Sequence, residues 1–306
     1  MKKTVIFNTV MIAGAMCFMA SFLPGSGKAE VLSTLNTSPA RIAFNGNGDL
    51  LVTDYMFGQV LTMAQDTMDV IGEIDVNGRP LGIAWAGDLI YVGNSTTGQV
   101  EVYNGAGQEQ FVLGHGDYPI KTPQDIAIGN NNVYVVDGSE QVVKIFTQDG
   151  AYVGTIPEAG YDRNVLTNPT AIAVDDDNRQ VFVSDYGDLG SANAIAPRIQ
   201  VFGFDGALLY SIGSGETNKY RFTMPQGLTL NGNHQLYVID SLSGEIHIFD
   251  TTNGNPLSKV KGSGRDSGVF AVKMPLDLVI DSTTNKVFVT NSMMASINVF
   301  AGAGGI

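Results

Sequence analysis

A proline recurs six times in this chain at the head of one short pattern, at Pro39, Pro80, Pro123, Pro169, Pro225 and Pro275. Each is followed by an apolar run: Arg41 to Phe44, Gly82 to Trp85, Asp125 to Ile128, Ala171 to Val174, Gly227 to Leu230 and Asp277 to Ile280. Fourteen to sixteen residues after each proline, an Asp or Asn ends a second run, at Asp54, Asn94, Asp137, Asp185, Asp240 and Asn291. A third run then alternates: Val60 to Met63, Val100 to Tyr103, Val142 to Phe146, Ile199 to Phe202, Ile246 to Phe249 and Ile297 to Phe300. The unit is clearest from Pro225 to Phe249, where Asn231-Gly232-Asn233 and Asp240 to Gly244 separate the runs. Asx-Gly turns between β-branched and aromatic runs are hairpin signals. Each unit is therefore three antiparallel strands, too small to be stable alone. A recurring unit of this size folds by stacking on its neighbours.

A fourth run follows in units one to five, as in Phe111 to Leu113 and Leu208 to Ile212. Unit six has none before Ile306, but Val31 to Leu35, ahead of the first proline, has the same character. The expected fold is all-β, a six-bladed β-propeller of four-stranded antiparallel blades. A single domain spans residues 30–306, with blades starting near residues 38, 79, 122, 168, 224 and 274. An N-terminal strand at 31–36 joins the last blade and closes the ring, removing free sheet edges. The 37 glycines and low charge content suit many tight turns.

The pattern resembles the NHL-repeat family of six-bladed propellers. The residues that carry the likeness are Phe222-x-x-Pro225-x-Gly227, Val183-Ser184-Asp185 and Arg198-Ile199-Gln200-Val201-Phe202. The chain departs from that family in lacking the Asn-His-Arg usual before the third strand, of which only Arg198 is retained. The resemblance implies the fold and leaves the activity open, because the family includes enzymes, RNA binders and scaffolds.

Lys2 and Lys3, an apolar run from Val5 to Leu23, and small residues at Gly27 and Ala29 read as a signal peptide over residues 1–29. The competing reading is a membrane anchor, since the run is almost long enough to span a bilayer. Cys17, the sole cysteine, lies inside that run, so no disulfide or thiolate site is expected after it. An exported product, periplasmic or extracellular, is the expectation. Removing Lys2, Lys3 and Lys28 from the 17 basic residues leaves 14 against 30 acids, a formal charge of −16. That balance argues against nucleic acid, which requires the opposite sign. No later apolar stretch has spanning length, and a monomer is expected.

Three sets of residues are candidates for function. The six Asp/Asn positions read as caps of their own turns. Arg41, Asp125 and Asp277, with Gln124, Thr170 and Gln226 beside them, start the innermost strands and face the channel mouth, either as a site or as an ion pair that plugs it. The third set is the face bearing the long connections, 114–122, 157–168, 213–224 and 262–274, and the enlarged loop 186–197. The turns of the opposite face, such as 45–49 and 175–178, are tight. The long-loop face gathers Arg41, Arg79, Lys121, Arg163, Arg198, Lys219, Arg221, Arg265 and Lys273, with Tyr118, Tyr161, Tyr186 and Tyr220. Tyr and Arg are common interface anchors, and loops on a rigid scaffold carry function.

Metal and catalytic motifs are poor. His115, His234 and His247 fall in different parts of the repeat and cannot converge on one zinc. Asp175-Asp176-Asp177-Asn178 lacks the spaced ligands of a calcium loop. No nucleophile elbow is present, and no metal or cofactor is expected. The leading expectation is a non-catalytic exported propeller that engages a protein or extracellular ligand through its long-loop face. The alternative is a metal-dependent hydrolase or lactonase of the gluconolactonase-like propeller type, using the central channel.

Overall fold

The computed structural model describes residues 29–34, 37–157, 166–188, 190, 194–213, 220–260 and 274–300. They form six four-stranded antiparallel sheets. The first strand of each begins at its proline: Pro39–Phe44, Pro80–Ala86, Pro123–Gly129, Pro169–Asp175, Pro225–Asn231 and Pro275–Ile280. Each of these strands packs against its counterparts in both neighbouring sheets, the sixth against the first, so the sheets stand as blades around a common axis. In five blades the four strands follow in chain order. In the sixth the outer place is held by Ala29–Thr34, antiparallel to Ser296–Phe300, two residues upstream of the range expected from the sequence. Among the described residues no helix is long and apolar enough to cross a membrane.

The two-residue period of a strand sends side chains to both faces of every blade, and both faces are covered by neighbours. Six hydrophobic clusters result, one at each blade interface. Second strands are consequently buried along their length, as in Leu50–Asp54 and Leu89–Asn94. Outer strands are half wet, leaving Val70, Ile71, Leu208 and Leu209 exposed.

The Asp or Asn ending each second strand does more than cap its own turn. Asp185 accepts from Gly187 N at 3.0 Å in that turn, but also from Thr167 N at 3.1 Å and Asn168 N at 2.8 Å in the connection before Pro169. Asp137 likewise holds Lys121 N at 2.9 Å, Thr122 N at 3.1 Å and Glu140 N at 3.3 Å. Asp240 takes Thr223 N, Met224 N and Ser243 N, and Asp54 takes Ser38 N and Phe57 N. Asn94 repeats the pattern with Arg79 N and Thr96 N. Each side chain therefore pins the incoming loop to its blade while fully buried. The sixth member, Asn291, differs: its Oδ1 is buried and finds no partner among the described residues.

That difference is measurable. Asp185→Ala strands three backbone amides and removes one partner of the partly buried Arg198, so a loss of about 3–5 kcal/mol is expected in urea unfolding. Asn291→Ala removes an acceptor that has no partner among the described residues, and its loss should be under about 1 kcal/mol. Equal losses at both positions would show that the clamp is not what stabilises the blades.

Candidate functional site

An inner strand pairs through one edge with the second strand of its blade. Its other edge faces the axis and presents unpaired N–H and C=O groups on alternate residues. In a closed ring of six such edges these groups need partners. Arg41 supplies them for four blades. Its Nε donates to Gln124 O at 3.3 Å, and Nη1 donates to Gln226 O at 3.4 Å and Leu276 O at 3.3 Å. Nη2 donates to Thr170 O. These four carbonyls belong to the residue after the proline in blades three to six.

The two aspartates serve the donors. Asp125 Oδ2 accepts from Ile172 N and Asp277 Oδ2 accepts from Ile42 N, each at 3.0 Å and each in the following blade. The guanidinium lies 3.8 Å from Asp125 and 3.6 Å from Asp277. All three residues are 5 % exposed. Of the two readings left open by the sequence, the contacts are those of a plug. Gln124 and Gln226 contribute to it through their backbone carbonyls.

Around the ring, the second position after the proline reads Arg41, Gly82, Asp125, Ala171, Gly227, Asp277. The two glycines stand one blade before the two aspartates. A Cβ on Gly82 would lie 2.8 Å from Asp125 Cα, and one on Gly227 would lie 2.6 Å from Asp277 Cα. Each aspartate thus needs a glycine behind it, and the Gly-Asp pair recurs three blades later on the opposite side of the axis.

Burial raises both carboxyl groups, against the pull of Arg41; it lifts Asp125 and pushes Asp277 up to about 7. Between the unperturbed 3.8 and about 7, the folded chain holds a proton on Asp277 that the unfolded chain has lost. This group's contribution to stability therefore falls as pH rises through that window. Asp277→Asn should remove up to about 1.4 kcal/mol per pH unit of downward slope when urea stability is followed from pH 4.5 to 6.5. A variant with the wild-type slope would show that another group carries the proton.

On the long-loop face the expected residues divide. Tyr161, Arg163, Lys219, Arg265 and Lys273 lie outside the described residues. Tyr118 is exposed and stacks on Tyr152 with ring centroids 3.9 Å apart. Tyr186 is also on the surface, and Arg221 is exposed. Arg79 is exposed and lies over the Tyr55 ring. Lys121 pairs with Glu140 at 3.0 Å. Arg198 turns inward to Asp185 at 3.3 Å, and the Tyr220 ring packs edge-on against His247 and Phe249 between blades. Arg41 belongs to the plug. Among the described residues no group of three or more His, Cys, Asp or Glu is arranged to hold a metal ion.

The same face carries a surface that the loop-and-charge reading passed over. The turns between second and third strands present Leu242 in blade five, Met293 and Met294 in blade six, and Met56 and Phe57 in blade one, exposed by 46–70 %. Hydrogen bonds connect these turns into one arc. Ser241 Oγ donates to Pro275 O, beside exposed Met274. The turn at Ser292–Met294 packs on the strand after that proline, and Ser292 Oγ meets Ser38 Oγ at 2.8 Å. Ser38 O in turn accepts from Tyr55 N. No charged residue occurs in these three turns, and Arg221 and Arg79 flank the two ends. The signal was available in the repeat: blade two has Ser95-Thr96-Thr97 where blades one and six have Met56-Phe57 and Met293-Met294.

No family model matches the chain, and no curated protein matches it. Solved structures do. A gluconolactonase from Xanthomonas campestris is similar with a TM-score of 0.68 at 16 % identity, over 90 % of this chain and 90 % of that one. The hydrazine synthase of Kuenenia stuttgartiensis is similar with a TM-score of 0.61 at 13 % identity, over 92 % of this chain and 99 % of that one. At these identities the likeness is one of fold.

Proposed function

We propose that the chain is an exported, non-catalytic binding protein that docks a protein partner on its long-loop face. The observation that carries this reading is the arc of uncharged, exposed side chains on blades five, six and one. Scattered apolar residues are normal on a protein surface, but a contiguous set is not. Met, Phe, Tyr and Arg are the residues enriched at the centres of protein interfaces, and methionine adapts its shape to a partner at small cost. Equivalent turns of a closed ring stand at similar height along the axis, so the arc offers several anchors to one surface. The signal-like N-terminus, Lys2 to Ala29, supports export. The lactonase alternative requires a metal cage in the channel, and at its long-loop end that space is filled by the Arg41 guanidinium with its donors already committed.

The arc variant Met56→Gln, Phe57→Ser, Met293→Gln tests the reading by affinity capture of cross-linked partners from envelope and culture fluid. Capture should fall at least tenfold, with the melting temperature held within about 2 °C, since the altered side chains are in water. Undiminished capture by a folded variant would remove the arc from the function. Replacing Arg221 by Ala should weaken capture less than the triple change, as expected of a flank.

A further inference from the structure

Sulfur chemistry distinguishes the arc from the rest of the chain. Seven methionines follow residue 29 and no cysteine does, so thioethers are the only sulfur groups of residues 30–306. Four of the seven, Met56, Met274, Met293 and Met294, stand in the arc and are exposed by 36–70 %. Met63 and Met68 are buried, at 0 % and 3 %, in the cluster that joins blades six and one, and Met224 is half-buried. Exposure governs how readily a thioether meets a dissolved oxidant, so the arc reacts first.

The turns themselves do not need the thioethers. In blade one Gly58 N donates to Asp54 O at 3.0 Å, and Phe57 N donates to Asp54 Oδ1 at 3.2 Å. In blade six Ala295 N donates to Ser292 O at 3.3 Å. Blade two makes the corresponding turn with Ser95-Thr96-Thr97. Polar groups at these tips therefore leave the blades intact. An oxygen added to Met63 or Met68 would instead place an unpaired acceptor inside a packed interface. Oxidation of the arc thus alters what the surface can bind and not whether the chain folds.

We propose that these four methionines are a modification site, converted to sulfoxides by a peroxide, and that the conversion turns docking off. The inference rests on the docking reading of the arc. The sulfur lone pair attacks one peroxide oxygen. The S–O bond forms as the O–O bond breaks, and the proton on the transferred oxygen leaves with the departing hydroxide as water. Sulfur loses two electrons and the peroxide gains them. The product carries a polar S=O group, whose bound water a partner must strip away to regain contact. Phe57 and Leu242 are unchanged, so docking weakens in steps as sulfoxides accumulate. Two thiols reverse the reaction through a methionine sulfoxide reductase, releasing the oxygen as water and leaving a disulfide.

The purified protein is treated with graded hydrogen peroxide, freed of it, and divided between peptide mass spectrometry, thermal melting and affinity capture of cross-linked partners. Each arc methionine should gain oxygen at least about tenfold faster than Met63 and Met68, with the melting temperature held within about 2 °C. Capture should fall at least about fivefold once all four are oxidised, and return when the reductases for both sulfoxide epimers are added with dithiothreitol. In the protein carrying Met56→Leu, Met274→Leu, Met293→Leu and Met294→Leu, peroxide should no longer change capture, whatever its starting level. Equal oxidation of arc and interior, unchanged capture by a fully oxidised arc, or peroxide sensitivity that persists in the leucine variant overturns the proposal. The two readings fail differently. Capture that survives oxidation but is lost in the Met56→Gln, Phe57→Ser, Met293→Gln protein rejects the oxidative control alone, and capture that survives both rejects the docking surface itself. Should the leucine variant not fold, the loss and recovery of capture by the unaltered chain decide.

Discussion

One arginine side chain resolves a problem that the ring creates for itself. Closing six blades on an axis leaves six strand edges facing inward, where neither another strand nor free water covers them fully. The guanidinium suits this place because it carries five donors in a plane and no acceptor. From blade one it reaches carbonyls of blades three, four, five and six. A lysine offers three donors from a point and cannot span that set. The hub also sets the character of the channel, since the guanidinium spans it at the level of the residues that follow the prolines.

The aspartates complete the division of labour. Each takes an inward N–H of the next blade, and each requires a glycine in the blade before it. Their charge keeps the arginine from being an isolated buried cation, which would be far more costly than any hydrogen bond it makes. The same burial that protects the plug raises the carboxyl groups. The arrangement therefore specifies the geometry of the axis and contributes less to stability at neutral pH than its contact list implies.

The sequence showed the architecture because a repeat declares itself through local chemistry. A proline sets each inner strand, an Asx side chain ends each second strand, and apolar alternation marks the third. Those features act within about 16 residues of one another. Arg41 and its acceptors are 83 to 235 residues apart, so their meeting follows only once the ring is built. The residues could be singled out because they break the repeat, but plug and site looked alike until the carbonyls were in place. Asp185 was read too locally, because its amide partners at Thr167 and Asn168 precede it by a whole hairpin. The apolar arc escaped notice for a different reason: long loops and charges were searched, whereas Met56, Phe57 and Met293 stand in short turns.

These placements give the two ends of the ring opposite characters. The short-turn rim is rich in carboxylates because Asp and Asn make tight turns at little conformational cost, and nothing there demands that Asp be chosen over Asn. Blades one and five use Asn, at Asn45 and Asn231, at the turn position that holds Asp175 and Asp281 in blades four and six. The Asp of blades four and six therefore exceeds what turn geometry needs. On the other end, turns of four residues tolerate polar side chains in blade two and carry Met, Phe and Leu in blades five, six and one. In both cases the backbone would accept a blander residue. Function is most economically sought where side chains exceed the requirements of the fold, and by that criterion the acidic mouth and the apolar arc are two separate surfaces on one rigid frame.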